Sequence, residues 1–243
     1  MCGIFAYAGE KINAASIVFE GLKHLEYRGY DSWGVAVVPV ADTNKQIFVK
    51  KRIGKIGNAT VVDMPESMFA FGHTRWATHG GVTQANAHPH LDCTGTIAVI
   101  HNGIFENYEN VKNKLIQKSH TFISETDTEV IAHLIEEYAK SMDFGHAVQK
   151  VFNEMKGLNA IIAFSQEDDK FIAARNGSPL VVGYGKDENF LASDATALLS
   201  HTKLVHYLED NEMAILNKND IRLFNIKTGE PIKPKKQRLR WNA

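Results

Sequence analysis

The side chains best suited to chemistry in this 243-residue chain fall in five short stretches. The first, MCGIF, places Cys2 directly behind a methionine. Removal of Met1, favoured by the small second residue, leaves a thiol and a free α-amine on one carbon. A thiol attacks as its thiolate, and an ordinary cysteine, with a pKa of roughly 8.5, is mostly protonated at neutral pH. An α-amine, at roughly 7.7–8.0, is neutral in good part and can take the thiol proton, so an N-terminal cysteine brings its own base. The competing reading is a small residue buried in a strand.

The other four stretches each carry a chemical and a plainer reading. GHTRWATHGG gathers His73, Arg75, Thr78 and His79 behind an apolar run; an arginine fork there binds a planar carboxylate at two points, or decorates an exposed loop. AVIHNG ends an apolar run in Asn102-Gly103. An amide NH₂ beside a glycine N–H makes an oxyanion hole, but Asn-Gly is also the commonest hairpin turn. In SETDTEV, Ser124, Thr126 or Asp127 can cap a helix, and an acid at that spot can also receive an ammonium group. NAHPHLDC holds His88, His90 and Cys93, a tight set of zinc-type ligands that no Cys-x-x-Cys or His-x-x-x-His partner completes, so no metal is assigned. Cys2 and Cys93, the two cysteines, read as free thiols.

The elements that must position these residues follow from apolar spacing. Cys2 to Tyr7 reads as a buried strand ended by Gly9, and Asn13 caps a helix through about Glu26 that Gly29 stops. WGVAVVPV and QIFVKKRI pair as strands around the polar ADTNK, and MFAFGHTRW and GTIAVIHNG are further strands. Helices are predicted near 107–118, 126–140 and 144–156, followed by short strands over 158–224 with one brief helix near Ala195. Strands, then grouped helices, then strands again indicate antiparallel sheets covered by helices, in one domain.

Composition bounds the function classes. Apolar residues are 44%, charged residues 23% and the net charge is -1, so no basic field argues for nucleic acid or an anionic membrane. No apolar stretch approaches the roughly 20 residues of a membrane span, and no signal peptide is evident, so a cytoplasmic location is expected. Five of the eight residues from Lys233 to Arg240 are basic and read as a solvated terminus or a linker.

Taken in order, MCGIFAYAG, LKHLEYRGYDSWGVAV, GHTRWATHGG, NAHPH, HNGIFEN and SETDTEV resemble the glutaminase domain of class II glutamine amidotransferases, in the N-terminal nucleophile hydrolase family. The resemblance implies an α+β fold, a four-layer αββα sandwich of two antiparallel sheets. It implies a glutaminase domain over 1–240, with 230–243 starting a linker to sugar-phosphate isomerase domains. It further implies hydrolysis of L-glutamine to glutamate and ammonia through a γ-glutamyl thioester on Cys2. Asn102 and Gly103 would form the oxyanion hole, Arg75 would bind the α-carboxylate and Asp127 the α-ammonium. Thr78 and His79 would lie on the loop that closes over glutamine, with Trp76 giving main-chain contact and a gate for ammonia. Arg28 would brace the nucleophile and His88 support the pocket; no metal and no organic cofactor are implied. In the longer enzymes the ammonia aminates fructose 6-phosphate to glucosamine 6-phosphate on the isomerase domains, with room for a homodimer. Two alternatives remain: the amidophosphoribosyltransferase branch, which usually carries HRGQDS where this chain has YRGYDS, and a scaffold that binds without turnover.

Overall fold

The computed structural model describes residues 2–40 and 46–240; the predicted ADTNK loop and Met1 lie outside the described residues. The chain visits two sheets in turn. It first lays down β1 (Gly3–Gly9), β2 (Ser32–Val37), β3 (Phe48–Ile53) and β4 (Phe69–Arg75), with helix α1 (Ala14–His24) after β1. Next come β5 (His90–Leu91) and β6 (Ile97–Gly103), helices α2 (Tyr108–Gln117), α3 (Asp127–Ala139) and α4 (Phe144–Glu154), then β7 (Asn159–Ser165) and β8 (Lys170–Asn176). The remainder supplies β9 (Val181–Tyr184), β10 (Glu188–Ala192), β11 (Leu204–Tyr207), β12 (Glu212–Leu216), β13 (Ile221–Asn225), β14 (Pro231–Ile232) and β15 (Gln237–Arg238).

The first sheet has the order β15-β11-β9-β10-β1-β4-β2-β3 and the second β14-β13-β12-β8-β7-β6-β5, with antiparallel pairing throughout. Successive strand residues point to opposite faces, and β1, buried along its whole length, sorts its side chains into two cores accordingly. Phe5 and Tyr7 join Trp33, Val35 and Val37 beneath α1. Ile4, Ala6 and Ala8 face the other sheet, where they meet Ala98, Ile100, Ala160, Ile162 and Phe164. Many alanines on these inner faces leave room for a cluster of Phe69, Phe71, Phe164 and Phe171, with ring centroids 5.0–6.1 Å apart. On the far side of the second sheet, Val99, Ile161, Ala163 and Ile172 pack against α3 and α4 through Val130, Ile131, Leu134 and Val148. Helix, sheet, sheet and helices therefore form four layers, the αββα sandwich expected from the sequence.

Local differences from expectation have local causes. Asn13 stands at the N-cap of α1 but its side chain makes no capping bond, and α1 ends at His24, a 3₁₀ turn over Glu26–Arg28 intervening before Gly29. Asn102-Gly103 is no hairpin turn: both residues belong to β6, where they pair with Ala160 and Asn159. The basic tail is not simply solvated, since β15 adds an edge strand to the first sheet beside β11 and Leu239 is buried. Among the described residues no helix is long and apolar enough to cross a membrane.

Candidate active site

The same alternation that builds the inner core delivers the polar residues. Along β4, Phe69 and Phe71 face the second sheet; two residues on, His73 and Arg75 continue on that face. In β1 the run Ile4, Ala6, Ala8 extends backward to Cys2, and in β6 Ala98 and Ile100 extend forward to Asn102. One end of the intersheet space is thus polar because three strands exchange apolar for polar residues at the same depth.

Cys2 is half-buried, and its Sγ accepts a hydrogen bond from the Trp76 N–H at 3.2 Å. Burial pushes the thiol pKa up, opposed by that N–H and by the positive charges of Arg75 and Arg28. The Cys2 carbonyl accepts from Arg28 Nε and from Asn102 Nδ2, both at 3.1 Å. Arg28 is itself held by Asp194 at 3.5 Å. His73 Nε2 lies 3.0 Å from both Asn102 Oδ1 and the His101 carbonyl. Two acceptors there require the proton on Nε2, so the imidazole donates to Asn102 Oδ1 and turns the amide NH₂ toward Cys2. Burial lowers the His73 pKa to about 3, which keeps this ring neutral. His73 stacks on His88 with centroids 4.1 Å apart, and His88 Nδ1 accepts from the His101 N–H at 3.4 Å.

Gly103 has φ of 135° and a Cβ there would meet the Leu158 carbonyl at 2.2 Å, so β6 can turn away from the site at this residue only as glycine. Beyond it, Asp127 begins α3 buried, and its Oδ2 accepts from the Phe105 N–H at 2.8 Å. The cap of α3 is Thr126, which accepts from the Glu129 N–H; of the three candidates read from SETDTEV, Asp127 is thereby left to face the site.

Arg75 does not stand as an empty fork. Its Nη1 donates to the Gly81 carbonyl at 3.1 Å and its Nη2 to those of Gly80, at 3.2 Å, and His79. A guanidinium has five N–H donors, so capacity remains for a further acceptor. The loop is fastened from outside by Glu125, whose carboxylate accepts from the Gly81 N–H and from Asn86 Nδ2. Trp76 is exposed and its ring meets Tyr30 edge-on.

Two cavities meet at Cys2. One of about 260 Å³ is lined by Cys2, Arg28, Trp76, Thr78, Asn102 and Gly103, with Ile104, Ser178 and Pro179 at its edge. The other, of about 20 Å³, is lined by Arg75, His79, His88, Asp127 and their neighbours and holds little more than a water. All ten residues singled out in the sequence therefore gather at or directly behind these cavities. His90 and Cys93, grouped with His88 as a ligand set, separate: the His90 ring lies beside that of His88, while Cys93 meets His120 and His133. His73, Asn86 and Glu125 were not predicted as site residues. His73 carried a signal, since it follows Phe69 and Phe71 at strand spacing.

The fold and this cluster define a glutamine amidotransferase. The model of the glutamine amidotransferase domain matches residues 43–225, and the chain belongs to that family. Its relatives include the glutamine–fructose-6-phosphate aminotransferases (isomerizing) of Thermococcus kodakarensis, 45% identical over 99% of this chain, and of Clostridium tetani, 44% identical over 100% of this chain. The chain spans about 40% of the length of each. Among solved structures, the glutamine phosphoribosylpyrophosphate amidotransferase of B. subtilis, with ADP and GMP, aligns over 93% of this chain and 50% of its own at TM-score 0.78 and 25% identity.

Proposed function

We propose that the chain hydrolyses L-glutamine to glutamate and ammonia with Cys2 as nucleophile. The observation that carries this reading is the position of Cys2 Sγ. It lies where the Arg75–Asp127 cavity joins the larger one, with the Asn102 amide alongside. Arg75 binds the α-carboxylate and Asp127 the α-ammonium. Because their cavity is so small, Thr78, His79 and the rest of the loop after Arg75 shift to admit the substrate and then close over it. Once Met1 is removed, the Cys2 amine takes the thiol proton, and the thiolate attacks the side-chain amide carbon. The oxyanion rests on the second Asn102 N–H and on the Gly103 N–H, preorganised donors of the kind worth roughly 3–4 kcal/mol each. The protonated amine gives its proton to the departing ammonia, and water, activated by the same amine, cleaves the thioester to glutamate. Arg28 fixes the Cys2 carbonyl, His88 backs His73, and Trp76 borders the ammonia exit.

In a longer protein of the relatives' kind, residues 1–240 serve as the glutaminase domain, and the ammonia goes to isomerase domains that convert fructose 6-phosphate to glucosamine 6-phosphate. YRGYDS and the 45% identity to the fructose-6-phosphate enzymes, against 25% to the phosphoribosylpyrophosphate enzyme, favour this acceptor. The test is labelling with 6-diazo-5-oxo-norleucine, read by peptide mass. We expect one adduct on Cys2, none on Cys93 and loss of ammonia release from glutamine. Adduct on Cys93 with Cys2 unmodified overturns the assignment.

A further inference from the structure

A second cluster of chemistry-bearing side chains lies away from Cys2, around the second and third turns of α3. Cys93, in the turn after β5, places its Sγ 3.5 Å from His120 Nδ1 and 3.3 Å from His133 Nδ1. Glu136 Oε2 is 3.2 Å from His120 Nδ1 and 3.3 Å from His133 Nδ1. The four ligand atoms all lie within 4.8 Å of one another. A tetrahedral ion with bonds of ~2.0–2.3 Å to nitrogen, oxygen and sulfur has ligand–ligand edges of ~3.3–3.6 Å; the four distances above lie at that spacing, and the other two pairs, within 4.8 Å, need at most a side-chain adjustment to reach it.

Outer carboxylates stand behind both rings. His120 Nε2 faces Glu137 Oε2 at 3.3 Å, and that carboxylate already accepts from Lys118 and Lys140 at 2.6 Å each. His133 Nε2 is buried and makes no hydrogen bond, with Glu129 Oε1 facing it at 3.6 Å in a carboxylate already accepting from Ile123 N, Ser124 N and Ser124 Oγ. Both nitrogens of each ring thus face a carboxylate, Nδ1 that of Glu136 and Nε2 an outer one, and Glu136 Oε2 also accepts from the Cys93 N–H at 3.1 Å. With the proton on Nε2, the tautomer that outer carboxylates favour in metal sites, each Nδ1 presents a lone pair. In that tautomer two lone pairs, a thiol sulfur and a carboxylate oxygen converge, and converging acceptors are satisfied by a cation between them.

We propose that Cys93, His120, His133 and Glu136 bind one zinc ion in a closed tetrahedral site. The thiolate and carboxylate balance its two charges, and the thiol proton is released to solvent on binding. Sulfur and imidazole ligands in four-coordinate geometry select zinc over magnesium or calcium. With all four positions protein-filled the ion is structural. It ties the turn after β5 and the segment between α2 and α3 to the second and third turns of α3, whose first residue is Asp127. Cys93 is the exposed ligand and both histidines are buried, so the ion enters from the Cys93 side. The sequence reading assigned no metal and grouped Cys93 with His88 and His90; the residues that the fold sets beside Cys93 stand 27 and 40 positions away.

The test uses the whole purified chain and zinc itself, with Cys2→Ser as background because an N-terminal cysteine chelates metal on its own. After desalting, elemental analysis should find about one zinc per chain in wild type and in Cys2→Ser, and almost none in Cys93→Ser. Cobalt loaded in its place should give the intense visible bands of tetrahedral thiolate coordination, lost in Cys93→Ser. Glu137→Gln, which leaves the ligands intact, should weaken zinc about 10–100-fold. A folded wild-type chain that takes up no zinc from micromolar excess overturns the proposal, as does metal retained equally by Cys93→Ser and His133→Gln.

Discussion

At the scale of single residues, the site depends on groups whose protonation and aim are set by burial. Asn102 has one amide N–H on the Cys2 carbonyl and the other free to meet an oxyanion, an arrangement that His73 holds from behind. Asn102→Ala should lower kcat about 10²–10³-fold with a smaller effect on KM. His73→Leu should reproduce part of that loss because the amide is then free to rotate, while His73→Gln, which retains an N–H, should recover some of it. Equal losses for Leu and Gln, tracking only the fraction of folded protein, would reduce His73 to packing. Arg75→Ala acts differently: under the proposed binding mode it removes a charge-assisted pair to the glutamine carboxylate worth roughly 1.5–3 kcal/mol, so KM for glutamine should rise roughly 10–150-fold. Steady-state kinetics showing an unchanged KM would take Arg75 out of substrate binding. Cys2, Arg75, Asn102 and Asp127 were legible in the sequence because each closes or opens a recognisable run. His73 was named with its stretch but given no role, because nothing local says which acceptor its ring meets.

At the scale of elements, the site is as good as the ends of β1, β4, β6 and α3. The first three ends were legible as points where apolar runs stop, and the helices as apolar spacing. The strand order was not. β1 pairs with β10, joining Phe5 to Ala192, and with β4, joining Gly3 to Thr74, and no local signal encodes pairings across such separations. The start of α3 shows how an element sets chemistry. Thr126 Oγ1 caps the Glu129 N–H and also meets His90 Nε2 at 3.0 Å, so it fixes the height of Asp127 above the cavity. Thr126→Ala should cost about 1 kcal/mol of stability, a fall in Tm of roughly 2–4 °C for a chain of this size. Because Asp127 then loses its fixed position, KM for glutamine should rise more than kcat falls. A variant with the lower Tm and wild-type KM would separate the cap from substrate binding.

At the scale of the whole molecule, the polar end of the sandwich is a liability in acid. His73, His88, His90 and His101 are all buried where β4 and β6 approach, and burial depresses the pKa of each: His73 to about 3, His88 and His90 well below the ordinary value, and His101 below it. Each imidazole in the unfolded chain takes up a proton near pH 6.5, whereas the folded chain excludes it until far lower at His73, His88 and His90 and until somewhat lower at His101. Across that interval unfolding binds protons, so stability is fully present above about pH 6.5 and falls as the pH drops toward the folded values. The three strongly excluded protons correspond to as much as about 4 kcal/mol per pH unit once the unfolded histidines are charged. A domain has only about 5–15 kcal/mol to lose, so the two sheets should separate within roughly one to four pH units below the histidine midpoint. Thermal melts at pH 7.5, 6.5 and 5.5 should show Tm nearly level over the first step and falling steeply over the second. In His73→Leu, which has one fewer excluded proton, the fall should be shallower. A Tm that stays level down to pH 5 would mean that these rings take up protons inside the fold, and that the neutral His73 holding Asn102 is not the form present at the active site in mild acid.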